Sequence, residues 1–239
     1  VVAASREDAT ARTAGELLAR AESVYRLSTA EPAAAAEPSA ALVREARAAA
    51  DVQALVVALL AQAYSSRLLL DQHGAKALLD DAVRTARRAG LASRVAQGLL
   101  ARAAVNQELG NAAAAARDLE AARPLLGPTR TAEVDFQRGT LMHNAGRLKE
   151  AAGAYHRALA AGTLPVADKV RVANNLGMIE AQLGRHEQSL GHVAEALELA
   201  REVGPAVYAV AAEGQAWATV QAGRVTEGLR LFTQAEQLW

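Results

Sequence analysis

The stretch Asn174–Leu197, NNLGMIEAQLGRHEQSLGHVAEAL, reads as two short helical runs that meet at Gly184-Arg185. Each run places a small residue, Gly177 in the first and Ala196 in the second, where a helix ordinarily offers bulk to its neighbour. A missing or minimal side chain lets a second backbone come close, so these positions mark lines of helix contact. Gly177 is expected to admit the second helix of its own pair, and Ala196 the first helix of the next. Leu183, Leu190 and Val193 then fill the space between.

The pattern recurs along the chain. The turn glycines Gly110, Gly146, Gly184 and Gly223 are spaced by 36, 38 and 39 residues. A step of 40 back from Gly110 reaches Leu70, in the degenerate turn LLLDQHG. Five residues beyond these anchors stand Ala75, Ala115, Ala151, Ser189 and Gly228. Nine beyond stand Leu79, Leu119, Tyr155, Val193 and Phe232, and twelve beyond Ala82, Ala122, Ala158, Ala196 and Ala235. Small, large, small at spacings of four and three is one face of a helix. A period of this length signals a stacked-repeat architecture, in which each helix pair buries too little alone and stacking creates the core.

Composition agrees with an all-α protein and excludes several functions. Of 239 residues 51% are apolar but only 3% aromatic, so the core is built from thin, close contacts. The 26 basic and 26 acidic residues cancel. No basic excess marks a nucleic-acid or anionic-membrane partner. With no cysteine there is no disulfide framework, thiolate nucleophile or Cys-based zinc site. The N-terminus VVAASREDAT lacks a signal-peptide pattern, and the apolar stretch ALVVALLAQAY (54–64) is expected to be a buried helix. A cytoplasmic location is the expectation, and the absence of an initial Met suggests a piece of a longer chain.

Residues 1–50 are expected to form a diverged helix pair, with a Pro/Ala connector at 30–40, either ordered or a flexible linker. Pro38 would then start the second helix, where its missing N–H costs nothing. Five repeats follow at about 51–90, 91–128, 129–165, 166–204 and 205–239, as one continuous solenoid. The terminal helix GLRLFTQAEQLW exposes Leu229, Leu231, Phe232 and Leu238 without an evident polar cap, so more chain or a partner is expected there, unless Trp239 folds back.

Over about residues 40 to 239 the chain resembles the tetratricopeptide repeat, whose signature has Leu-Gly in the first helix, Gly at the turn, Ala-x3-aromatic-x2-Ala in the second helix and Pro near the end. The best copies are 132–165, with Gly139, Gly146, Ala151, Tyr155, Ala158 and Pro165, and 170–205, with Leu176, Gly177, Gly184, Ala196 and Pro205. The resemblance implies a right-handed α-solenoid of about six helix pairs, with first helices lining a concave face. In register, that face would carry Leu60, Tyr64, Arg67 and Leu100 early in the chain. Later it would carry Phe136, Thr140, Asn144, Arg171, Asn174, Met178, Gln182 and Trp217. Such a mixture of rings, amides and Arg suits a peptide or protein partner; alternatively, Phe136 and Trp217 serve inter-repeat packing. Asn175 matches the central Asn of the chaperone-tail clamp found in some members of the family. Its cationic partners are missing, because Phe136, Thr140, Val210 and Gly214 stand in their places.

Enzyme signatures fail on spacing. His186 and His192 are six apart and diverge around a helix. His143 and His156 fall in different helices, His73 is isolated, and HEQS lacks the second His of a zinc helix. Adjacent Asp80 and Asp81 do not converge on one substrate. No catalytic residue, metal or cofactor is expected. The style of the repeats, as in AKALLDDAVRTARRAG and GRLKEAAGAYHRALAAG, resembles the N-terminal repeat region of actinobacterial CHAT-domain proteins, which are caspase-like. That resemblance implies a sensor or adaptor arm whose natural chain continues into a CHAT peptidase domain. The alternative is a ligand- or peptide-sensing arm of a bacterial transcriptional regulator or signalling ATPase.

Overall fold

A computed structural model describes residues 2–127 and 130–238, with side chains from residue 15 onward. Trp239, and with it the expected fold-back of the last ring, lies outside the described residues. Among the described residues there are twelve α-helices and no strand. They form six antiparallel pairs in two compact units, divided after Leu126. The first unit holds α1 (Val2–Ala30), α2 (Pro32–Ala48), α3 (Val52–Leu68), α4 (Gln72–Arg88), α5 (Ala92–Glu108) and α6 (Ala112–Ala122), ending in a 3-10 turn, Arg123–Leu125. The second holds α7 (Thr131–Asn144), α8 (Leu148–Ala160), α9 (Val166–Gln182), α10 (His186–Ala200), α11 (Pro205–Gln221) and α12 (Val225–Glu236). No helix among the described residues is long and apolar enough to cross a membrane.

The turns follow from backbone sterics. Gly110, Gly146, Gly184 and Gly223 have φ between 71° and 81°, the left-handed conformation that closes a helix. Two hydrogen bonds complete each closure: Gly184 N–H donates to the Ala181 carbonyl at 2.9 Å and Arg185 N–H to Glu180 at 2.8 Å. Leu70 adopts the same conformation at φ 67°, with its N–H on Arg67 and that of Asp71 on Ser66. Asp71 then starts α4 by accepting the Gly74 N–H at 2.9 Å, as Asp51 does for Ala54 at the start of α3.

The small-large-small register is the buried one. Leu79, Leu119, Tyr155 and Val193 are all buried, flanked by buried Ala75 and Ala82, Ala115 and Ala122, Ala151 and Ala158, and Ser189 and Ala196. A Cβ on Gly177 would lie 2.5 Å from a Val193 methyl and 3.1 Å from the Ser189 carbonyl, so α9 and α10 touch through that gap. Ala196 and Ala200 of α10 pack with Val170 and Ala173 of α9 and with Ala211 of α11, the next pair. The apolar run in α3 is buried on every side, from Val56 through Ala61.

Residues 32–40 depart from expectation: they are helical, and the connector shrinks to Glu31. Pro32, not Pro38, takes the first turn, and Pro38 sits inside α2. Four consecutive alanines favour helix strongly. Burial of Ala35, Ser39, Leu42, Val43 and Ala46 adds to this, and together they offset the single backbone donor that Pro38 removes.

Candidate functional site

The second unit carries the eight residues expected on the concave face. On α9, Arg171, Asn174, Met178 and Gln182 follow one another at helical spacings of three and four, so they form one stripe. On α7, Phe136, Thr140 and Asn144 do the same, and Trp217 stands on α11. Arg171, Gln182 and Asn144 are exposed, Phe136, Thr140, Met178 and Trp217 half-buried, and Asn174 buried.

These residues play unlike parts. The Phe136 ring packs 6.2 Å from that of Tyr155 and leans on the core of α7–α9, so part of it is packing surface. The Arg171 guanidinium also lies over this ring, 6.0 Å from its centroid, which ties α9 to α7 by a cation–ring attraction. Arg171 is also held by Asp168 at 3.1 Å, and Arg130 pairs with Glu133 at 2.8 Å on α7. Burial raises the Asp168 carboxyl above its ordinary pKa, Arg171 opposes this and Glu133 adds to it.

Thr140 belongs to a directed hydrogen-bond chain. Asn175 Nδ2 donates to Tyr155 Oη at 3.1 Å, Tyr155 donates to Thr140 Oγ1 at 3.0 Å, and Thr140 donates to the Phe136 carbonyl at 3.2 Å. The chain fixes α7, α8 and α9 together and occupies the hydroxyl and amide that a ligand would otherwise meet. Tyr155 was legible as core, but its phenol pointed to nothing in the sequence. Asn175, the residue matching the chaperone-tail clamp, is thereby engaged inside the fold.

Asn174 is a wedge between first helices. A Cβ on Gly214 of α11 would fall 1.8 Å from Asn174 Oδ1, so the two helices meet at this point. Oδ1 is buried and has no hydrogen-bond partner. Of the eight residues, Arg171, Gln182 and Asn144 are thus exposed and Met178, Phe136 and Trp217 partly so, while Asn174 and the Thr140 hydroxyl are engaged in packing and hydrogen bonding.

In the first unit the expected face is differently disposed. Leu60 and Leu100 are buried, Arg67 pairs with Glu108 at 2.6 Å, and the Tyr64 ring meets that of Tyr25 from α1. Asp80 and Asp81 serve ion pairs: Asp80 joins Lys76 and Arg102, and Asp81 joins Arg47 and Arg84. Among the described residues no group of three or more His, Asp or Glu is arranged to hold a metal ion. One pairing escaped the sequence reading, that of His156 and His192 from neighbouring pairs, with ring centroids 5.8 Å apart. Their spacing of 36 residues, one repeat, was the available signal.

Residues 168–239 match the family model described as tetratricopeptide repeat. No curated protein sequence matches the chain. Among solved structures the chain is similar to BtubC from P. vanneervenii, at 17% identity over 96% of this chain and 91% of that one, with a TM-score of 0.66. It is similar to the apo form of the quorum sensor NprR from B. thuringiensis, at 13% identity over 93% of this chain and 64% of that one, with a TM-score of 0.71. A third likeness is to a Signal Transduction ATPase with Numerous Domains protein with a tetratricopeptide repeat sensor from Pyrococcus horikoshii. There the identity is 15% over 96% of this chain and 35% of that one, with a TM-score of 0.72. At such identities the likeness is one of fold: this is a repeat protein with the stacked helix pairs of tetratricopeptide scaffolds.

Proposed function

We propose that this chain is a non-enzymatic scaffold that binds a peptide or protein segment on the face formed by α7, α9 and α11. The observation that carries the reading is Arg171, exposed and held over the Phe136 ring beside Asp168. A cation positioned by its own protein loses less freedom on binding an acidic side chain or chain terminus. Met178 and Trp217, half-buried next to it, supply adaptable apolar contact. Asn174 contributes from beneath, by setting the spacing of α9 and α11.

The arm reading follows the neighbours in fold. Two of them are named as a quorum sensor and as a protein with a tetratricopeptide repeat sensor, and in both this chain spans less than two thirds of the other. That supports a sensing arm of a transcriptional regulator or signalling ATPase over the arm of a CHAT peptidase, for which the repeat style alone speaks. The test is to select binders from a random peptide library on the intact chain, then titrate them against Arg171→Ala/Met178→Ala. We expect affinity to fall at least about tenfold, the scale of losing one charged contact and one apolar contact, with the helical circular dichroism unchanged. Peptides that bind wild type and variant equally would remove the α7–α9–α11 face from consideration.

A further inference from the structure

On the side of the second unit formed by the second helices, three metal-ligating side chains from three helices come together. His156 of α8 and His192 of α10 belong to neighbouring pairs, and their rings meet with centroids 5.8 Å apart and an interplanar angle of 60°. Glu180 of α9 lies beside them and is only 2% exposed. Its Oε2 accepts a hydrogen bond from Arg185 at 2.9 Å, while its Oε1 faces His156 Nε2 at 4.0 Å. On the other ring, His192 Nδ1 has Glu195 Oε2 at 4.0 Å. At that distance neither carboxylate hydrogen-bonds its imidazole.

The distances fit an ion that is shared. Two imidazoles that hold one zinc at about 2.0–2.1 Å place their ring centres about 5–6 Å apart, the separation found here. Two donor atoms on such an ion stand about 3.3 Å apart, so His156 Nε2 must move roughly 0.7 Å toward Glu180 Oε1. The three ligands are therefore near one another without being assembled around a point, in keeping with the lack of a finished three-ligand group among the described residues. The His156 side chain is 55% exposed and free to make that turn, and His192, at 23%, is the more firmly placed. Burial first, and then the His156 charge, favours the neutral, ligating form of His192. Glu195 can accept the Nδ1 proton of that ring and leave Nε2 as the ligand atom.

We propose that His156, His192 and Glu180 form a site for a divalent transition-metal ion of the zinc type, with solvent in the fourth position. Two imidazoles and one carboxylate select zinc, copper or nickel over magnesium and calcium, which prefer an all-oxygen shell. The bound ion clips α8 to α10, two helices that otherwise share little contact, across the junction of two helix pairs. It lies on second helices, apart from the face of first helices α7, α9 and α11 to which peptide binding is assigned.

The test is calorimetric titration of zinc chloride into the untagged, EDTA-treated and desalted chain at neutral pH. One equivalent should bind, with a dissociation constant below about 100 μM, and a hundredfold excess of magnesium should not displace it. His156→Gln and His192→Gln should each weaken binding at least tenfold, whereas His186→Gln, on an exposed histidine of the same α10, should leave it unchanged. His156 is exposed, so its variant tests the site without disturbing the core if His192→Gln fails to fold. In the wild type, of the five histidines only His156 and His192 should shift their imidazole NMR signals on addition of zinc. Absence of saturable binding, binding that survives both substitutions, or equal loss in His186→Gln would overturn the site.

Discussion

Leu70 bears two costs at once. It is 80% exposed, and it holds φ at 67° where the corresponding turns of four other helix pairs use glycine. A Cβ in the left-handed region crowds the following carbonyl, at about 1 kcal/mol or more. Because the side chain packs on so little, Leu70→Gly removes that strain and loses almost no burial, although glycine also gains freedom when unfolded. We expect a net stabilisation of about 0.5–1 kcal/mol, read as a higher urea midpoint at unchanged slope; a lower midpoint would show that the leucine side chain is held by contacts. The same residue shows what was legible at this scale. Counting back one repeat located the turn although its glycine is absent, because the register of Ala75, Leu79 and Ala82 persists. What could not be read was side-chain partnership. Asn174 and Asn175 are adjacent amides in the sequence, and only the packing of α11 on α9 and of Tyr155 beneath separates a wedge from a hydrogen-bond donor.

The helix pairs were legible because small residues must stand where backbones meet, whereas the start of α2 was not. Two prolines and a run of alanines suit either a linker or a helix, and burial of Leu42 and Val43 against neighbouring helices decides between them. Contact between different pairs is equally hidden, as His156 and His192 show. His192 faces His156 from α8, Glu180 from α9, and Glu195 on its own helix, while Arg185 pairs with Glu180 at 2.9 Å. Burial, then the charge of His156, lowers the His192 pKa below 6.5, the two carboxylates opposing, and burial lowers that of His143. A histidine depressed in the folded state leaves stability whole above its unfolded pKa. Stability is lost as pH falls through the folded value, since the unfolded chain binds the proton more readily. The chain should therefore weaken from about pH 6.5 downward, the region of the unfolded histidine pKa. His192→Gln should flatten that decline, measured as urea midpoints between pH 7 and 5. An unchanged profile would mean that His192 protonates as freely in the fold as outside it.

Across the whole molecule, the repeat register explains why so much architecture and so little chemistry could be read. Residues at the contact lines answer to a geometry that recurs with every pair, so one copy predicts the next. Residues on the proposed binding stripe would answer to a partner instead, and Arg171, Met178 and Trp217 obey no internal rule that would name it. The ion pairs follow the same economy: several, such as Arg147–Glu150 and Arg201–Glu198, join exposed residues three apart at the end of a helix and add little. Stability built from nearest-neighbour interfaces should also fail locally. Gly228 gives the sharpest test within the second unit. A Cβ there would stand 2.9 Å from the Val220 backbone nitrogen and 3.0 Å from the Ala216 carbonyl oxygen, atoms that no rotamer change can move aside. Gly228→Ala must therefore push α12 off α11. Hydrogen exchange should rise at least tenfold in α11 and α12, while α7 and α8, two interfaces away, keep their protection. Uniform loss of protection from α7 to α12 would show that this unit unfolds as one cooperative body. In that case the nearest-neighbour account of its stability fails, even though the helix pairs themselves stand.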